Sequence, residues 1–397
     1  MERFWVPLCI LTVAGFTFNT SELIPIGLLS DIAGSFGVSE ARAGMLITVY
    51  AWVVALMSLP LMLLFARMEY RRLMLGVVGV FVVSHIATVL STGYYSLMVS
   101  RIGVALAHSL FWSIAPAMAV AVAPKSRRAT ALSALVAGGG VALVAGLPLG
   151  RVLGIVAGWR MTFAALGVLA FLVLMGLWLK FPTIEKGEES ESRRDMLRDL
   201  VRCKPLIAIY IITAMMVTGH YTGYSYVEPF LLQVAAMPAG VVTVTLSLFG
   251  FAGLAGSYII SRYYGRYSRA LITGACFGLP AMMAMLLPVT YAAPLLISCV
   301  CVAWGLCMTV YNIAFQNEIV TLFPRDSAVP MSLYSGIFNL GIGAGAFVGG
   351  VVSDHGMMSD IGYIGGVIAL AAAVYCYLRY MPLRKGDFGG RVIHAEN

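Results

Sequence analysis

Asn19 and Glu22 stand three residues apart in the first long apolar run of the chain, close enough in a helix to share a face. A carboxylate at membrane depth is costly enough that function is its first explanation. A carboxyl group that gains and loses a proton as its surroundings change is what proton coupling requires. Arg101, His108 and Trp112 follow at intervals of seven and four, which sets them on one stripe of another helix. The guanidinium can serve as a counter-charge to Glu22, the imidazole can titrate in the working range or bond a hydroxyl, and the indole offers a flat apolar face. These spacings predict a proton-coupling set of Glu22, Arg101 and His108, with Asn19, Glu22, His108 and Trp112 turned toward a ligand. A fixed Glu22–Arg101 ion pair that only aligns two helices, and core packing for Trp112, explain the same residues without chemistry.

A second set lies further along. His220, Tyr224 and Glu228 recur at four-residue steps, with Tyr221 and Tyr226 beside them. This mixture of rings and hydroxyls suits a polar, uncharged ligand, and His220, Tyr221 and Tyr224 are the expected contacts. Glu228 precedes Pro229 near the end of a run and is expected to be a solvated gate residue. Asn312 and Gln316, four residues apart, and Asn339 supply amides that donate and accept, as a hydroxyl-rich ligand demands; bonding between helices is their other use. Glu318 is expected to be hydrated near a span end, and His85, the only histidine of its run, to be structural.

The elements that must position these residues are membrane helices. The chain has 397 residues, 60% hydrophobic and 11% charged, with a mean hydropathy of +0.90, whereas a soluble domain carries about 25% charged residues. Crossing roughly 30 Å of hydrocarbon takes about 20 helical residues. Runs of that kind predict spans near 5–29, 43–65, 73–91, 95–123, 130–155, 161–181, 205–232, 241–261, 270–288, 294–322, 328–353 and 361–381. The first run lacks an Ala-x-Ala cleavage site and is polar in its middle, so it is expected to stay in the mature protein. Pro116, Pro148, Pro229 and Pro280 are expected to bend their helices.

Basic residues cluster in alternate turns: Arg67, Arg71 and Arg72; Lys125, Arg127 and Arg128; Arg262, Arg266 and Arg269; Arg384 and Lys385. The opposite turns carry little beyond Arg42 and Arg160. Lys and Arg are retained on the cytoplasmic side, so both termini are expected in the cytoplasm, and the net charge of +8 reads as a topology signal and not as a nucleic-acid footprint. Seven cysteines without metal-ligand spacing are expected to pack, with no metal site. No His-Glu-x-x-His, Gly-x-Ser-x-Gly or phosphate-loop motif is present, which argues against an enzyme or an ATP-driven pump. The charged linker is too short for a receptor's effector region.

That linker, 183–204, separates an N-terminal six-helix half, 1–182, from a C-terminal half, 205–397, which ends in a short cytoplasmic tail. Glycines recur every fourth residue at Gly146, Gly150 and Gly154 and again at Gly341, Gly345 and Gly349, which puts small residues on one face for close helix contact. Two six-span halves joined in this way resemble the major facilitator transporters, an all-α integral membrane fold of twelve helices in two pseudo-symmetric halves. Several strings sharpen the resemblance: Glu22-Leu23-Ile24-Pro25-Ile26-Gly27, Tyr50-Ala51-Trp52, Ser100-Arg101-Ile102-Gly103, Gly146-Leu147-Pro148-Leu149-Gly150, Gly158-Trp159-Arg160, His220-Tyr221-Thr222-Gly223-Tyr224 and Ser335-Gly336-Ile337-Phe338-Asn339. They are similar to the twelve-span drug:proton antiporter branch and, within it, most resemble the bacterial sugar efflux transporters.

The resemblance implies proton-driven export of sugars such as arabinose and thiogalactosides such as IPTG, with no cofactor beyond the proton gradient. It also implies a monomer in the bacterial inner membrane. A broad-specificity drug or metabolite exporter is the alternative. The superfamily's cytoplasmic Gly-x-x-x-Asp-Arg-x-Gly-Arg signature is replaced here by Leu63-Leu64-Phe65-Ala66-Arg67-Met68-Glu69-Tyr70-Arg71-Arg72. The acidic residue is thus displaced to Glu69, and Arg71 and Arg72, with Glu228, are the expected gating residues.

Overall fold

In a computed structural model of the chain, residues 4–65, 68–124, 127–183, 202–291, 294–323 and 328–384 are described. Most of the linker (184–201), with Arg67, Lys125 and Lys385, lies outside these residues. The helices are α1 (Trp5–Gly27), α2 (Leu29–Phe36), α3 (Glu40–Leu64), α4 (Tyr70–Val89), α5 (Tyr94–Val122), α6 (Arg128–Val141), α7 (Leu147–Ala157) and α8 (Trp159–Lys180). They continue with α9 (Lys204–Tyr224), the single turn α10 (Val227–Pro229), α11 (Ala239–Thr290), α12 (Pro294–Leu322), α13 (Ala328–Asp354) and α14 (Ile361–Tyr375).

Among the described residues, eleven helical stretches are long and apolar enough to cross a membrane. Straight, the 52 residues of α11 would reach about 78 Å at 1.5 Å per residue, far more than a bilayer core. The helix breaks at Tyr267, whose φ of −124° and ψ of 24° are not helical, so it holds both spans predicted at 241–261 and 270–288. Large apolar side chains such as Val83, Val156, Trp178 and Val367 point outward, which fits helices whose outer face meets lipid.

Two of the four prolines adjoin a widened turn. A π-helical turn, Ala142–Gly146, precedes Pro148 and joins α6 to α7, and another, Phe230–Val234, follows Pro229. Pro148 has no N–H to give the preceding turn, and the wider turn there absorbs the defect; the turn at Pro229 lies on the other side of its proline. Pro116 and Pro280 lie inside uninterrupted α-helical stretches. Between α7 and α8, Gly158 takes φ +86°, a value open to glycine, and this lets Trp159 begin the next helix at once.

One compact unit comprises Met1–Gly187 with Ser225–Phe251, and the other Glu188–Tyr224 with Ala252–Asn397. In the first, α4 and α5 pack along each other, α3 lies against α5, and α1 is held by α6, α7 and α8. The glycine face is what admits α1. A Cβ on Gly139 would fall 2.5 Å from the amide of Asn19, one on Gly154 would fall 2.5 Å from Leu28, and Gly146 and Gly150 lie directly against Thr20 and Ile24. In the second unit α9 packs against α13 and α14. A Cβ on Gly345 would meet the Thr222 nitrogen and the Tyr221 Cβ, each at 2.8 Å. The repeated glycines thus serve one purpose in each unit, the close seating of a central helix.

At the turn before α4, Glu69 caps the helix, accepting the backbone N–H groups of Arg71 (2.8 Å) and Arg72 (3.0 Å). The Arg71 guanidinium donates to the Trp178 carbonyl (2.6 Å) and so ties α4 to α8.

The packing yields a test. Gly345→Val should lower the unfolding temperature in detergent, since overfilling a tight contact costs about 1–3 kcal/mol. Gly336→Ala, with open space around the added Cβ, should leave it unchanged or raise it. Equal behaviour of the two variants would contradict close seating.

Candidate functional site

The N-terminal candidates come together. Asn19 accepts a hydrogen bond from the Trp112 indole (3.1 Å), in space left by Gly139. One helical turn along α1, a Glu22 carboxylate oxygen lies 3.6 Å from His108 Nε2. That is within reach of charge pairing but longer than a direct hydrogen bond. His108 is nearly buried, with 5% of its side chain accessible, while Glu22 keeps 20%. Phe18 and Tyr50 flank the imidazole, with ring centroids at 6.0 and 5.7 Å. Phe18 is itself stacked on Phe111 at 4.3 Å, so apolar packing fixes one side of the pair.

Arg101 is buried, yet among the described residues it makes no ion pair with Glu22. It is bound to the neighbouring residue: one guanidinium nitrogen donates to the Ser21 hydroxyl (3.2 Å) and another to the Ser21 backbone carbonyl (2.9 Å). The sequence supplies that acceptor. Pro25 sits inside α1 four residues after Ser21, and because proline has no N–H it leaves the Ser21 carbonyl without a helical partner. The guanidinium also lies 4.8 Å from the Tyr50 ring centroid and 5.4 Å from that of Phe163, contacts that favour a desolvated cation. The fixed ion pair considered from the sequence is therefore not the arrangement found.

Spacing alone does not select Ser21 or Tyr50 for the site, and it gives His85, the only histidine of its run, a structural place. His85 is not isolated, because its Nε2 lies 3.1 Å from the Ser21 hydroxyl and its Nδ1 lies 3.0 Å from the Phe81 carbonyl. No local pattern links residues 64 apart; the proline four residues beyond Ser21 was the available signal.

In the second unit His220, Tyr221, Tyr224 and Trp304 form one aromatic cluster, with His220 stacked on Tyr224 at 5.0 Å and set edge-on to Tyr221 at 4.9 Å and Trp304 at 5.3 Å. Tyr221 reaches Phe338, with centroids at 6.5 Å. Phe338 lines a cavity of about 260 Å³ with Asn312, Gln316, Met331, Tyr334 and Ser335. There the Asn312 carbonyl oxygen accepts from Gln316 (3.0 Å) and from the Tyr334 hydroxyl (2.9 Å), a link within one helix and to α13. Asn339 donates back to the Ser335 carbonyl (3.0 Å), which places it one turn from the cavity wall. Among the described residues no group of three His, Cys, Asp or Glu is placed to hold a metal.

Two carboxylates differ from expectation. Glu228 is buried, not solvated, with 1% accessible, and pairs with Arg151 at 2.9 Å. Arg151, also buried, donates further to Thr243 (3.1 Å) and to the Gly27 carbonyl. Glu228 also accepts from the Ser30 hydroxyl (2.9 Å), which stands 2.8 Å from Glu40 as well. An arginine within an apolar run demands a partner, and that was the missed signal for Arg151. Glu318 is likewise buried, not hydrated. It accepts from Tyr264, from Tyr380 (2.5 Å) and from two nitrogens of Arg384 (2.8 and 3.0 Å).

Long apolar helices with ionisable groups buried among them define a multi-pass membrane protein. The family model described as Major Facilitator Superfamily matches residues 9–329, and the chain belongs to that superfamily. A bacterial homologue of the human lysosomal transporter Spinster, solved inward-facing and unoccupied, is similar with a TM-score of 0.78 at 17% identity, over 96% of this chain and 98% of that one. Its inward-facing occupied form gives 0.69 at 19%, over 95% and 96%. A D-xylose–proton symporter gives 0.73 at 14%, over 95% and 98%. At these identities the likeness is one of fold, and the fold is that of the major facilitators. Their work is to carry small molecules across the lipid bilayer.

The Arg151–Glu228 pair gives a second test. Arg151→Met leaves a buried carboxylate without its cation, a loss of about 3–5 kcal/mol, and should lower the unfolding temperature strongly. Arg151→Met with Glu228→Leu should recover much of it. A double variant no more stable than the single would show that the pair is not what the carboxylate depends on.

Proposed function

We propose that the protein exports sugars such as arabinose and thiogalactosides such as IPTG in exchange for protons across the bacterial inner membrane, working as a monomer with both termini in the cytoplasm. The observation that carries this reading is the carboxylate–imidazole contact of Glu22 and His108 inside a membrane span, with a cation anchored one residue away. Such a group can hold a proton in one state and yield it in another.

In the proposed cycle the outward-facing protein takes a proton at Glu22, reorients with it and releases it into the less acidic cytoplasm. It then binds sugar there and carries it out, driven by the proton gradient without another cofactor. Coupling requires proton and sugar to favour different states or to compete for one site. Asn19, Glu22, His108 and Trp112 from the first unit are the proposed sugar contacts. His220, Tyr221, Tyr224, Asn312, Gln316 and Asn339 are those from the second. The amides and the Tyr334 hydroxyl around the second-unit cavity support a hydroxyl-rich ligand, because each can donate or accept. The D-xylose–proton symporter shows that this fold can serve sugar and proton together. Glu228 with Arg151, and Arg71 and Arg72 at the turn before α4, are the proposed gating groups.

The test is labelled arabinose flux in proteoliposomes of defined orientation, with and without an imposed pH gradient, beside a lipophilic cation. Gradient-driven sugar flux, abolished in Glu22→Gln while sugar binding persists, is the expected result. Cation flux without sugar flux would reassign the protein to drug export and make the His220–Trp304 cluster a cage for aromatic cations. Wild-type flux in Glu22→Gln at matched protein level would remove Glu22 from coupling.

A further inference from the structure

We propose that His85 is the positioning residue of the Glu22 site: through the Ser21 hydroxyl it keeps Arg101 anchored on Ser21 and off the Glu22 carboxylate. This rests on the reading of Glu22 as the proton carrier.

Donors and acceptors around Ser21 can pair in one order. The Phe81 carbonyl can only accept, so the His85 Nδ1 that bonds it at 3.0 Å carries the ring proton. Nε2 of the neutral ring is then an acceptor, and the Ser21 hydroxyl, 3.1 Å away, donates to it. With its proton committed to His85, the Ser21 oxygen turns a lone pair to Arg101, whose guanidinium nitrogen stands 3.2 Å off. The backbone carbonyl of the same serine, freed by Pro25, takes a second guanidinium nitrogen at 2.9 Å. Arg101 is thereby held by both acceptors of one residue, in an order set by a ring on α4.

Among the described residues of the first unit, the charged and titratable groups that interact with Glu22 are His108 and Arg101 on α5 and Tyr50 on α3, with His85 on α4 acting through Ser21. Arg101 interacts with Glu22 electrostatically without bonding to it. A guanidinium released from Ser21 would meet in Glu22 the acceptor that best matches its planar, paired donors. The resulting bidentate pair would hold the carboxylate ionised and leave it unable to carry a proton. His85 prevents this by giving the Ser21 hydroxyl a fixed direction. Leucine at position 85 cannot accept the Ser21 proton, whereas the side-chain carbonyl of glutamine can.

Infrared difference spectroscopy of the full chain in lipid nanodiscs tests this without any sugar. The protonated-carboxyl band of Glu22 is identified by its loss in Glu22→Gln. At one mildly acidic pH it should be present in wild type, much reduced in His85→Leu and restored in His85→Gln. Should His85→Leu not fold, Ser21→Ala deletes the same hydroxyl and should reduce the band likewise. Equal bands in wild type and His85→Leu, or no recovery in a folded His85→Gln, would overturn the proposal and leave the proton-carrier reading standing. A wild type with no Glu22 band at any pH would overturn that reading, and this one with it. Absence of arabinose flux would touch only the sugar assignment.

Discussion

A charge inside a membrane span has no bulk water to turn to, so each one must find its partner within the protein. That constraint accounts for most of the polar architecture. Arg151 and Glu228 satisfy each other and recruit Ser30, Thr243 and the Gly27 carbonyl. Glu318 draws in two tyrosines and Arg384. Glu22 is the exception: it keeps part of its surface accessible and has an imidazole at 3.6 Å where the other two carboxylates have a guanidinium. The carboxylates paired with arginine join elements together, and the one beside an imidazole is the proposed proton carrier.

Close helix packing gives that exception its surroundings. α1 carries Asn19, Ser21 and Glu22 within a single turn, and it can lie close to α6 and α7 because glycines face it at 139, 146, 150 and 154. Asn19 fits beside Trp112 only because Gly139 has no side chain. Pro25 completes the arrangement from within the same helix: the hydrogen bond it cannot make leaves a carbonyl for Arg101. Small residues and a proline thus position chemistry that none of them performs.

The fold was largely legible in the sequence because apolar run length is a direct consequence of bilayer thickness. The break at Tyr267 separates the two spans expected at 241–261 and 270–288, whereas the π-helical turn inside the run 130–155 is a local irregularity that run length does not record. Asn19, Glu22, His108 and Trp112 were legible because their spacing along two helices is local, and α1 and α5 bring the stripes together. The environments of Glu228 and Glu318 were not. Both stand near the ends of runs, where hydration is the ordinary expectation, and their partners Arg151 and Arg384 lie 77 and 66 residues away. His85 and Ser21, 64 residues apart, were unreadable for the same reason. Their bond depends on how two helices are rotated, which no single run records.

The proposed exchange requires that Glu22 carry a proton that sugar displaces. Calorimetry of arabinose binding to purified protein, in buffers of different ionisation enthalpy, counts protons released per sugar bound. Release by wild type and none by Glu22→Gln is the predicted result. Binding with no proton release in wild type, or with the same release from Glu22→Gln, would contradict it.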